Sequence, residues 1–63
     1  MRYKIKELRE KRRLTQQELA DLSGVSRTNI IRLEKEDDVE TTIGTLKALA
    51  DALNVNIKYL FLP

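Results

Sequence analysis

Between Leu14 and Leu33 the chain reads L-T-Q-Q-E-L-A-D-L-S-G-V-S-R-T-N-I-I-R-L, and no other stretch restricts its fold as much. T-Q-Q-E is a capping box: the Thr15 hydroxyl accepts from the Glu18 amide while the Glu18 side chain reaches back to the cap, so a helix begins there. Gly24 follows nine residues later and ends that helix cheaply in the left-handed region. Ser26 is a good N-cap for the next helix, whose inner face carries Ile30 and Leu33. Two short helices joined by a tight turn must therefore pack together, with the small Ala20 where they nearly touch. Ala20, Gly24, Ile30 and Leu33 together have the spacing of a helix-turn-helix; an ordinary helical hairpin is the plainer reading.

The rest of the chain is helical in period. Ile5, Leu8, Arg9 and Arg12 fall at i, i+3, i+4 and i+7, a face half apolar and half arginine, which predicts a first helix over about residues 3 to 13. After Lys35 the acidic run Glu36, Asp37, Asp38 and Glu40 has no period and reads as a loop. Thr42 caps a fourth helix with Ile43, Leu46, Leu49, Ala50 and Leu53 as its apolar stripe and Asn54 as its left-handed stop. Asn56 caps a short fifth helix carrying Ile57 and Leu60 inward. The sole proline is the last residue, and no repeat or linker interrupts the pattern. The expectation is an all-α, compact five-helix bundle forming one domain over residues 1–63.

Sixty-three residues lie near the lower limit for folding unaided, because so small a domain buries only about 60% of its unfolded surface. The chain has no cysteine and no histidine, so neither a disulfide nor a common zinc cluster can staple it, and a dense apolar core must suffice. The same absences, with no carboxylate pair set against a pocket, leave almost no support for an enzyme; no cofactor or metal is expected. Charges interrupt the N-terminus where a signal peptide needs apolar residues, and no run suits a membrane span, so a cytoplasmic location is expected. Residues 1–35 hold ten Lys/Arg against five Asp/Glu, and residues 36–63 hold two against five. A basic half of this kind suits a polyanion, although a solvated surface of mixed charge accounts for it too.

Residues 14–34, together with L-R at 8 and 9 and I-G-T-L-K-A-L-A-D-A-L-N-V at 43–55, resemble the DNA-binding domain of the phage repressor and Cro family, often called Xre-type. The resemblance covers nearly the whole chain and implies a lambda-repressor-like domain that binds a double-stranded DNA operator as a homodimer and regulates transcription, as a repressor. Residue by residue, it implies that Gln16 contacts a phosphate and braces Arg27, the first residue of a recognition helix running from about Arg27 to Lys35. Base-reading positions fall on Arg27, Thr28 and Arg32, while Lys35 touches backbone. Arg9 and Glu34 match a largely buried ion pair joining the first helix to the third.

The residue chemistry is compatible with those roles. An arginine fork matches the O6/N7 pair of guanine, and Thr28 or Ile31 can press a methyl group against thymine, although phosphate attraction alone also explains each arginine. Gln17 and Asn29 are assigned to phosphate, with plain exposure to solvent as the alternative for each. The family commonly has a glycine two residues after the Glu34 position and a proline before the fourth helix; here Glu36 stands in the first place and no proline in the second. Acids thus replace the cations that many relatives direct at phosphate from this loop.

At the C-terminus, Tyr59, Phe61 and Leu62 exceed what one helix face can hide, and such an excess suits a dimer interface. The alternative is that Phe61 and Leu62 fold back over Ile5 or Tyr3 and close the core. No second domain for ligand sensing or dimerisation is expected, so control would rest on concentration or on a regulatory protein partner. A competing function on the same fold is a protein-interaction module, an antitoxin or an inhibitor of another regulator, using the acidic loop and the C-terminus.

Overall fold

The computed structural model describes residues 3–35 and 41–61. Four α-helices are present among them: α1 Ile5–Lys11, α2 Gln16–Ser23, α3 Arg27–Lys35 and α4 Ile43–Ala52. The fifth expected helix is instead a single 3-10 turn, Ile57–Leu60. Its geometry explains the difference. The Asn56 side chain accepts from the Lys58 amide and the Asn56 carbonyl accepts from Tyr59, which tightens the turn. The chain then straightens at Phe61 (φ −86°, ψ 141°) to form an isolated antiparallel bridge with Tyr3, leaving no residues for an α-helical ladder.

That bridge also shortens α1. The Lys4 amide donates to the Leu60 carbonyl at 2.7 Å, so residues 3 and 4 serve to tie the N-terminus to the C-terminal turn rather than to extend the helix. At its other end α1 stops in a Schellman arrangement: the Arg13 amide donates to the Glu10 carbonyl and the Leu14 amide to the Arg9 carbonyl, with Arg13 itself at φ +56°. α4 ends the same way around Asn54 at φ +59°, with Asn54 donating to Asp51 and Val55 to Ala50.

Among the described residues, ten buried apolar side chains make the core: Ile5 from α1, Leu19 and Ala20 from α2, Ile30 and Leu33 from α3, Leu46, Leu49 and Ala50 from α4, then Leu53 and Leu60. α2 packs against both α3 and α4, α1 against α3, and α4 against the C-terminal turn. Ile43, expected on the inward stripe of α4, is 66% exposed. At about 100° per residue the four buried positions of that stripe centre roughly 70° away from Ile43, which therefore sits on the rim. The acidic stretch 36–40, read above as a loop, and Leu62 lie outside the described residues. No described helix is long and apolar enough to cross a membrane.

Candidate nucleic-acid interface

The geometry of the interface begins at Thr15. Its Oγ1 accepts from the Glu18 amide at 3.0 Å while Glu18 Oε1 accepts from the Thr15 amide at 2.8 Å, closing both halves of the capping box and placing Gln16 and Gln17 on the first turn of α2. Gly24 ends α2 at φ +75°. A Cβ there would meet no atom within 4 Å, so the left-handed backbone, not lack of space, is what favours glycine. The Ser26 side chain then accepts from the Asn29 amide at 3.2 Å and starts α3 at Arg27.

Burial of Ile30 and Leu33 fixes the rotation of α3 about its axis. Arg27, Thr28, Asn29, Arg32 and Lys35 are consequently exposed, and Ile31 is half-buried between the two faces. Beside this surface lies an open cleft of about 790 Å³ lined by Lys6, Arg9, Thr15, Gln16, Gln17, Arg27, Ile31, Glu34 and Lys35. The structure thus brings Gln16, Gln17, Arg27, Ile31 and Lys35 together, whereas Thr28, Asn29 and Arg32 lie on the exposed surface of α3 outside the cleft lining.

Arg9 and Glu34 form the cleft floor. Arg9 Nε donates to Glu34 Oε2 at 2.7 Å and Nη2 to Oε1 at 3.1 Å, a bidentate pair, while Nη1 donates to the Leu14 carbonyl at 2.7 Å. The two side chains are 11% and 4% exposed, so the pair is largely withdrawn from water, and its hydrogen bonds offset the desolvation. The bond to Glu34 holds the Arg9 pKa above its already high ordinary value, against the opposing effect of burial. Gln16 Nε2 also donates to Glu34 Oε1, at 3.1 Å. The hydrogen bond Gln16 makes therefore goes to the last turn of α3, and not to Arg27 at its start as the family resemblance implied. Gln17 Nε2 donates to Asp21 Oδ1 at 3.0 Å along α2.

Lys6 and Thr15 belong to the cleft although neither was singled out as a site from sequence. Lys6 stands three residues before Arg9 and so shares its helix face, a signal that was readable. The contact between Gln16 and Glu34 spans 18 positions and has no local signal. Of the residues assigned to a dimer interface, Tyr59 is 57% exposed, with the Lys58 ammonium 5.4 Å from its ring centroid. Phe61 is half-buried, edge-on to Tyr3 with ring centroids 5.9 Å apart.

Two helices joined by a tight glycine turn, the second showing an exposed cationic face beside an open cleft, define a helix-turn-helix domain of the DNA-binding kind. Residues 5–60 match the model of the family described as Helix-turn-helix, and the chain belongs to that family, whose Xre-type members resemble the phage repressors and Cro and regulate transcription by binding DNA. No match was found among curated proteins.

Proposed function

We propose that this chain is a sequence-specific regulator that binds operator DNA as a homodimer and represses transcription. The observation that carries the reading is the segregation of α3: Ile30 and Leu33 are buried while Arg27, Thr28, Asn29, Arg32 and Lys35 are all exposed. In this reading α3 enters the major groove. Arg27 and Arg32 read guanine edges, Thr28 and Ile31 meet thymine methyl groups, and Lys35, Gln16, Gln17 and Asn29 hold the flanking phosphates.

The dimer would pair through Tyr59 and the exposed edge of Phe61, with Leu62 following. Selecting bound sequences from random duplex DNA tests the whole proposal. An enriched inverted repeat with half-sites about one turn apart is the expected result. Failure to enrich any sequence, with the chain folded, would defeat it. The competing reading, an interaction module for a regulatory protein, draws support from Leu22 and Ile43, apolar side chains 63% and 66% exposed. It expects that folded chain to show no preference among duplexes.

A further inference from the structure

The basic residues of α1 lie outside the helix-turn-helix, yet Lys6 lines the same cleft as Gln16 and Gln17 of α2 and Arg27 and Lys35 of α3. The cleft's acid, Glu34, is engaged by Arg9 through two hydrogen bonds, which neutralises the floor. Lys6, Arg27 and Lys35 then surround that neutral floor with an excess of positive charge, drawn from two helices separated in sequence. Gln16 gives one Nε2 proton to Glu34 and keeps the other, so its amide is oriented and still able to donate. A cleft edged by three cationic side chains and an oriented amide donor, too open to enclose a small ligand and bordered by the exposed face of α3, matches a stretch of sugar–phosphate backbone.

We infer that Lys6 is a DNA phosphate contact, and that the cleft between α1, α2 and α3 seats one segment of backbone alongside the groove that α3 enters. This rests on the DNA-binding reading above and extends its footprint to the first helix. Lysine acts here as a point charge: the contact sets affinity and register and carries no base preference. Its signature is therefore electrostatic, because each neutralised phosphate releases condensed counterions and adds about 0.9 to the slope of log affinity against log salt for duplex DNA.

The test measures binding of the wild-type chain and its Lys6→Ala, Lys6→Arg and Lys47→Ala variants to random-sequence duplex DNA by fluorescence anisotropy, from low to physiological salt. Lys6 is exposed on a helix and alanine favours helix, so the fold is retained, which circular dichroism verifies. Lys6→Ala is expected to lower the slope by about one per bound protomer and to weaken binding roughly five- to tenfold at 0.1 M salt. Lys6→Arg should keep the slope. Lys47→Ala removes an equal charge from an exposed site on α4, where Lys47 lies 3.5 Å from Asp51, and should leave the slope unchanged. An unaltered slope for Lys6→Ala, or equal losses for Lys6→Ala and Lys47→Ala, overturns the contact while leaving the DNA-binding reading intact. Absence of salt-dependent binding by the wild-type chain overturns both.

Discussion

Arg9 and Glu34 sit at the centre of a small network in which three hydrogen bonds reach Glu34 and a fourth joins Arg9 to the Leu14 carbonyl. Arg9→Ala strands a nearly buried carboxylate and should cost about 3–5 kcal/mol, close to the whole stability of a domain this small. Replacing both residues with apolar ones of similar volume should recover most of that loss, and urea denaturation of the single and double variants measures the difference. Because the Arg9 pKa is raised, its share of stability is present below the pKa of the unfolded chain and is lost only as pH rises past the still higher folded value. Arg9 titration should therefore leave stability unchanged between pH 5 and 9. Arg32 has the opposite character: fully outward on α3, it should be silent in stability and expressive in binding. Arg32→Ala is expected to cost about 1–3 kcal/mol of specific affinity and to flatten preference at one base position, whereas equal losses on operator and random DNA would reduce Arg32 to a phosphate contact.

Helix starts were legible in the sequence where one side chain caps its own neighbourhood. Thr15, Ser26, Thr42 and Asn56 each accept a backbone amide two or three residues on, an interaction contained within a few positions of chain. The stops at Gly24 and Asn54 were legible because glycine and asparagine tolerate positive φ. Arg13 was not: an arginine gives no hint of the left-handed conformation that its Schellman bonds impose. Arg13→Gly should therefore stabilise the domain by about 0.5–1 kcal/mol, the relief of strain exceeding the entropic cost of glycine in the unfolded chain, and a rise in thermal midpoint would show it. At the C-terminus the fold-back of Phe61 over Tyr3, one of the two alternatives the sequence left open, is present, but the 3-10 form of the turn was not legible. Its form depends on Lys4 donating to Leu60 and Tyr3 pairing with Phe61, contacts more than fifty residues apart that no local pattern encodes. The outer face of α3 was readable from period alone, but the commitment of Gln16 to Glu34 again needed the packed structure.

The described residues span 24 × 22 × 20 Å. Successive major grooves on one face of B-DNA are about 34 Å apart, so in the binding mode proposed above one copy would present α3 to a single half-site. In that proposal sequence discrimination beyond a few base pairs would call for a second copy, and a two-fold pair would use the same surface on both partners. Phe61 is a poor probe of that surface, since its ring is already packed on Tyr3 and a charge there would disturb the tie between the termini. Tyr59 separates the two roles, because it is 57% exposed on the same C-terminal turn and contributes nothing to the buried core. Tyr59→Glu is expected to leave thermal stability within about 0.5 kcal/mol, as for most surface changes, while shifting the sedimentation coefficient from dimer to monomer. Operator affinity should fall with the loss of paired half-sites, since the second recognition helix no longer benefits from the high effective concentration that the first provides. Binding to an isolated half-site should be unaffected. A Tyr59→Glu chain that still sediments as a dimer would place the two-fold contact elsewhere, and one that unfolds would assign Tyr59 to the fold itself.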